Sequence, residues 1–174
     1  LLIHQIWIGN PPPKFVVDAM NTVKYYNKSH TYKLHTNNDL KKYNLDNLLH
    51  KVPAAFIADV LRCNILSEYG GCYIDADTIA SCDIMDILPE INDSFCTSEL
   101  DSGPYSYANS LIYVKNKGYN FNNFIKEYIM NEPCIRIWNN FCKKNNATLL
   151  SNKKFGTKSN IYKDLRMSSW NTHK

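Results

Sequence analysis

The chain has 174 residues, 44% of them hydrophobic, and a formal net charge of +4; this fits one globular domain with a sizeable core and excludes a disordered chain. No apolar run approaches the ~20 residues of a membrane span. The 17 Lys and 3 Arg are scattered through Asn-rich stretches, without the clustered basic face of a nucleic-acid binder, although a modest positive balance suits an anionic substrate.

In chain order, Leu1 to Ile8 reads as a buried strand, closed by Gly9 and the turn Asn10-Pro11-Pro12-Pro13. Lys14 to Asn27 has apolar residues near helical spacing (Phe15, Val16, Ala19, Val23, Tyr26) and predicts a helix. Tyr32 to Thr36 reads as a short strand. Asn38 or Asp39 is placed to cap a brief helix over Leu40 to Tyr43. The clearest helix follows, with Pro53 in its first turn, Gly70 at its end, and Ala54, Ile57, Ala58, Leu61 and Ile65 as its core stripe. Gly71 to Ile79 comes next as a strand. Phe95 to Glu99 and Ser110 to Val114 read as strands, and Phe121 to Met130 and Cys134 to Lys143 as helices separated by Pro133. Ala147 to Leu150 is a last strand before a polar, irregular tail. Strands alternate with helices in the first half, so the expected fold is α/β, a single domain over 1–174 with a mostly parallel sheet flanked by helices. The chain starts at Leu1 without Met, which leaves room for a trimmed leader or anchor.

The six cysteines, Cys63, Cys72, Cys82, Cys96, Cys134 and Cys142, form no C-x-x-C pair, so a zinc site is not expected. Cys63 and Cys72 fall on elements expected to be buried, where a free thiol behaves as a small hydrophobe. A reducing, cytoplasmic setting is the default expectation. Sequons at Asn27, Asn92 and Asn146 weigh slightly against it.

The segment Tyr73-Ile74-Asp75-Ala76-Asp77-Thr78 is the most informative. On an extended strand, Tyr73, Asp75 and Asp77 point one way and Cys72, Ile74 and Ala76 the other. Two carboxylates on one face at the end of an apolar strand repel unless a positive group sits between them. A hard divalent cation fits that position, and Mg²⁺ held by one or two carboxylates keeps open positions for substrate phosphates. A solvated acidic turn is the plainer alternative. In open α/β sheets, ligands sit outside the carboxyl ends of strands, which is where Asp75 and Asp77 fall.

Asp59 and Arg62 stand three apart on the long helix, beside its apolar stripe. They read either as a local ion pair worth about 0.2–0.5 kcal/mol or as part of a pocket with the aspartates, since the Gly70-Gly71 link keeps helix and strand adjacent. Trp7, at the end of the first strand, packs the core rim or stacks on a flat base. His4 is expected in the buried part of that strand with its nitrogens bonded locally. Glu99 and Asp101 follow a strand and face either an acceptor or solvent. The tail around Ser168 and Trp170, polar with an isolated Trp, is expected to act as a lid.

Together these residues carry a resemblance. Ile3-His4-Gln5-Ile6-Trp7-Ile8-Gly9, then Ala58-Asp59-Val60-Leu61-Arg62 with Glu68-Tyr69-Gly70-Gly71, then Tyr73-Ile74-Asp75-Ala76-Asp77, resemble the DXD-motif sugar-transferase family in order and spacing. That family includes yeast initiating mannosyltransferases and is related to the glucosyltransferase domains of clostridial toxins. Asn109-Ser110-Leu111, Glu132-Pro133 and Ser168-Ser169-Trp170 are similar to its later elements, though the Thr-Gly before the Pro and the His before the closing Ser-Trp are absent. The resemblance implies a type A glycosyltransferase fold, a Mn²⁺ or Mg²⁺ ion, and a nucleotide-sugar donor, UDP-linked ahead of GDP-linked. It implies retention of anomeric configuration and a glycan or protein hydroxyl acceptor. It assigns Trp7, Ala55, Asp59, Arg62, Tyr73, Asp75, Ser168 and Trp170 to donor binding, and Asp75 and Asp77 to the metal and to catalysis.

Two other readings stay open. A haloacid-dehalogenase-type phosphatase also has an apolar strand followed by D-x-D-x-T, with Asp75 as nucleophile and Asp77 as acid/base. That leaves the first strand and the Asp59–Arg62 helix unexplained. An inactive module that holds a nucleotide sugar is the other.

Overall fold

A computed structural model describes residues 1–88, 94–99, 105–131, 135–156 and 159–165. Its elements are β1 (Leu2–Ile6), α1 (Lys14–Tyr26), β2 (Thr31–His35), α2 (Ala54–Tyr69), β3 (Gly71–Ile74), β4 (Thr78–Ala80), β5 (Phe95–Glu99), β6 (Tyr107–Val114), α3 (Asn122–Met130), α4 (Ile135–Lys144), β7 (Thr148–Leu150), β8 (Phe155–Gly156) and β9 (Tyr162–Asp164). The main sheet has the order β2-β1-β3-β6-β5-β7, and a small sheet the order β4-β9-β8. In the main sheet β6 runs against all its described companions, so the sheet is mostly parallel as expected.

Period-two alternation sorts the strands onto two cores. Tyr73 faces a core with Ile6, Ile57, Leu61, Phe124 and Trp138. Its neighbours Cys72 and Ile74 face the opposite core, with Ile3, Val23, Phe155 and Tyr162. The helix α2 is buried more widely than its predicted stripe: Val60 and Leu66 are inside as well, while Ala54 is exposed. A helix apolar on more than one side is one covered on more than one side, and here both the main sheet and α3 pack against it. On α1, Val16, Ala19, Met20 and Val23 are buried, but Phe15 and Tyr26 are exposed.

Three expectations are corrected. The strand predicted over Gly71 to Ile79 is two strands in different sheets. The β3 ladder ends with the Asp75 amide donating to the Ser110 carbonyl at 2.8 Å, and a turn closes with the Thr78 amide donating to the Asp75 carbonyl at 3.2 Å. The chain then joins β9, with Thr78 opposite Asp164. The cap of the short helix is Thr36, and the 3₁₀ helix starts at Asn37; Asp39 is the other half of a capping box, accepting from the Thr36 amide at 2.9 Å. The tail after Leu150 is not irregular throughout, because β8 and β9 lie in it. They are held by Phe155 and Tyr162, both fully buried with ring centroids 6.1 Å apart. Strands this short carry too few residues for a periodic signal.

The junction of α2 and β3 is narrow. Gly71 has φ +93°, and a Cβ there would lie 2.3 Å from the Leu2 carbonyl oxygen. His4 is buried as expected, but its partners are distant in sequence. Its Nε2 bonds the Gly70 carbonyl at 3.0 Å and its Nδ1 lies 3.0 Å from Nε2 of His35. Burial lowers the pKa of His4 to about 4 and also lowers that of His35.

Candidate active site at the end of β3

The site begins with the reversal from α2 into β3. The tight Gly70-Gly71 turn lays β3 directly beside α2. Ala55, Asp59 and Arg62 follow one another at helical spacing on α2. Asp59 and Arg62 form an ion pair, Nη2 to Oδ1 at 2.9 Å, with side chains only 6% and 7% exposed. It is more than a local pair. Nη1 of Arg62 lies 3.2 Å from Oδ1 of Asp75 and donates to the Asn109 carbonyl at 2.5 Å. The guanidinium sits 4.3 Å from the centre of the Tyr73 ring, a cation–π contact in a desolvated place. One guanidinium thus joins α2, β3 and β6.

Asp75 is also held by its own strand and by β1. Oδ1 accepts from the Tyr73 hydroxyl at 2.6 Å, and its carbonyl accepts from the Gln5 side chain at 3.0 Å. Gln5 is fixed in turn by the Tyr32 hydroxyl at 2.9 Å. The Asp75 side chain remains 27% exposed. Ala76 is buried against Val16 and Met20, while Asp75 and Asp77 on either side are half-buried. The alternation expected of a strand therefore persists in burial through the turn.

The electrostatics are those of a crowded acidic end. Burial raises the Asp75 pKa to about 7; Arg62 opposes that rise, and Asp77 and Asp164 add to it. Burial likewise raises Asp59 against the pull of Arg62, Tyr128 and Asn109. Burial works against the charge of Arg62, but Tyr73, Asp59 and Asp75 more than offset this, so the guanidinium stays charged.

A cavity of about 130 Å³ opens here, lined by Asp75, Glu99, Ala108, Asn109, Ser110, Ile135, Gly156 and Asp164. Glu99 is therefore on a cavity wall and not in a free loop, with Oε2 accepting from the Asn152 amide at 3.1 Å. Asp59 and Arg62 do not line the cavity; they stand behind Asp75 and Asn109. Trp7 lies at the end of β1, half-buried and packed against the cluster of Val16, Met20 and Ala76. Its indole N–H donates to the Asn10 carbonyl at 2.6 Å. Ala55 is half-buried in the first turn of α2. Asp101, Ser168 and Trp170 lie outside the described residues.

Sequence reasoning missed two residues. Asp164 sits on β9, in the segment read as an irregular tail, and offers no motif. Tyr128 donates its hydroxyl to Oδ2 of Asp59. Its signal was available: Phe121, Phe124 and Tyr128 share a helical stripe, and a tyrosine on a core stripe needs a partner for its hydroxyl.

Carboxylates and carbonyls are the donor set that suits Mg²⁺ or Mn²⁺. Burial is the main cause of the raised Asp75 pKa, and Asp77 and Asp164 add a repulsion that a cation would relieve. Among the described residues, however, no three His, Cys, Asp or Glu side chains already stand in a metal-holding arrangement, and no helix is long and apolar enough to cross a membrane.

Comparison with known proteins gives the relationship. No curated protein matches the chain. Among solved structures, the PaToxG glycosyltransferase superposes with a TM-score of 0.58 at 15% identity, covering 83% of this chain and 68% of that one. The apo-form glycosyltransferase GlyE of Streptococcus pneumoniae TIGR4 superposes with a TM-score of 0.60 at 13% identity, covering 89% of this chain and 46% of that one. The present chain thus spans under half of GlyE. These likenesses give the fold, that of glycosyltransferases. A family model described as capsular polysaccharide synthesis protein matches residues 3–171, and the chain belongs to that family.

Proposed function

We propose that the protein is a metal-dependent, retaining glycosyltransferase that moves a sugar from a nucleotide-sugar donor to a hydroxyl of a glycan or protein. The observation that carries this reading is Asp75, at the carboxyl end of β3 and two residues before Asp77, on the wall of a cavity and backed by a buried arginine. Family membership and the fold support it. Asp77 and Asp75 hold Mn²⁺ or Mg²⁺, which when bound supplies Lewis-acid stabilisation to the departing diphosphate. Trp7 bounds the base, with a UDP-sugar favoured over a GDP-sugar, while Tyr73, buried beneath Arg62, supports Asp75 from behind and does not reach the donor. Arg62, charged and fixed, favours the ionised form of Asp75 against the effect of burial and holds it at the cavity wall, and Asp59 fixes Arg62 in turn. Ala55 lies on the same helix face and, being small, leaves room for the donor.

The phosphatase alternative gains nothing from this geometry. Tyr73 and Arg62 both engage Oδ1 of Asp75 and leave Oδ2 for a nucleophile, but the buried Asp59–Arg62 pair behind it and the glycosyltransferase fold have no place in that reading. A screen of UDP- and GDP-sugars with Mn²⁺, read as released nucleotide, tests the proposal. Release that requires Mn²⁺ and stops with chelator is the expected result. Tight binding without release would make the chain a binding module. Release of phosphate from simple phosphomonoesters would restore the phosphatase reading.

A further inference from the structure

We propose that Tyr128 on α3 is a positioning residue for the cation site: its hydroxyl fixes the Asp59 carboxylate, which aligns Arg62 against Asp75. The inference rests on the reading of Asp75 and Asp77 as a cation–diphosphate site, and it extends that site to a helix that does not line the cavity.

Asp59 has no free oxygen. Oδ1 accepts from Arg62 Nη2 at 2.9 Å and from Asn109 Nδ2 at 3.0 Å, and Oδ2 accepts from Tyr128. Donors from α2, β6 and α3 therefore hold one buried carboxylate from three directions. A carboxylate held only through Oδ1 can turn about its Cβ–Cγ bond; the bond to Tyr128 stops that turn. The guanidinium is planar, so fixing the Asp59 end fixes the direction in which Nη1 reaches Asp75 and the Asn109 carbonyl.

Tyr128 is itself enclosed by packing. It is buried, and its ring stacks on Phe56 at 5.4 Å and on Phe124 at 5.1 Å between centroids. The hydroxyl is thus carried on a rigid element, the condition under which a supporting group sets the geometry of the groups in front of it. The chain Tyr128–Asp59–Arg62–Asp75 runs without a gap from the core of α3 to the cavity.

The test is Tyr128→Phe, which keeps the ring and both stacks and removes only the hydroxyl. Two measurements are made. The chain has three arginines, Arg62, Arg136 and Arg166, so their side-chain N–H groups are readily resolved by ¹⁵N NMR. Mn²⁺-dependent UDP binding is measured by calorimetry. Val23→Ala, a buried truncation on α1 outside the site, controls for general loosening. The expected result is an Arg62 N–H signal that is sharp in the parent and broadened or exchanging in Tyr128→Phe. The Mn²⁺ needed for half-maximal UDP binding should rise about 10-fold, and Val23→Ala should change neither. An unaltered Arg62 signal in Tyr128→Phe overturns the proposal, as does the same change in Val23→Ala. A parent protein that binds neither UDP nor GDP with Mn²⁺, yet shows the Arg62 response, overturns the cation-site reading and upholds the Tyr128–Arg62 coupling.

Discussion

Arg62 reaches from the middle of α2 to within 3.2 Å of Asp75 at the end of β3, while the same guanidinium pairs with Asp59 at 2.9 Å. A single buried cation between two carboxylates makes the stability of the core and the readiness of the site depend on the same group. Arg62→Met leaves Asp59 buried without its counter-charge and should cost about 3–5 kcal/mol. Adding Asp59→Asn removes the stranded charge and should recover part of that loss. Urea unfolding of the single and double variants checks this; equal stabilities would show that the pair contributes nothing.

Asp77 has the opposite character. It is half-buried in the turn after Asp75, and its charge works against that of Asp75. Asp77→Ala should leave the melting temperature within about 2 °C of the parent. It should lower Mn²⁺-dependent release of nucleotide by about 10²-fold or more, the scale for losing one main electrostatic element of a site. Retention of full turnover would remove Asp77 from the metal site.

Trp7 packs beside Ala76, and its indole N–H is tied to Asn10. Trp7→Ala should weaken UDP binding by about 1–3 kcal/mol, the range for base–aromatic stacking, and Trp7→Phe should keep part of it. Calorimetry with UDP and GDP measures both, and unchanged affinities in Trp7→Ala would return Trp7 to a packing role.

The buried pair His4–His35 gives the fold a defined acid limit. Burial lowers the pKa of His4 to about 4 from an ordinary value of 6.5, and lowers that of His35, so the unfolded chain binds protons more readily than the folded one. Stability is then full above about pH 6.5 and is lost as pH falls toward 4, by about 3 kcal/mol for His4. Asp39 beside His35, with Lys33 and Lys42 nearby, modifies that slope. Unfolding free energies at pH 7 and pH 4.5 should show a smaller difference in His4→Gln than in the parent, and identical differences would contradict the assignment.

Gly71→Ala places a Cβ 2.3 Å from the Leu2 carbonyl at φ +93°. Strain and backbone overlap together should cost about 3 kcal/mol or more, seen as a lowered melting temperature or loss of soluble protein. A variant as stable as the parent would mean that β1 and β3 can separate freely.

Local chemistry determined much of this protein. Apolar periodicity marked α1 and α2, the dipeptide Gly70-Gly71 marked the reversal, and the spacing of Asp59, Arg62, Asp75 and Asp77 marked the candidate site. These signals lie within one element or across one turn, where side-chain direction follows from chain geometry. The tertiary structure decided what depends on contacts between distant segments. It divided the predicted strand after Ile74, because Thr78 to Ala80 find their partners in β9 and not in the main sheet. It brought Tyr128 to Asp59 and Asp164 near Asp75, across sequence separations over which no periodicity extends. It also determined that Arg62 faces two carboxylates and not one, since a guanidinium on a helix can be directed only by whatever the rest of the chain packs around it.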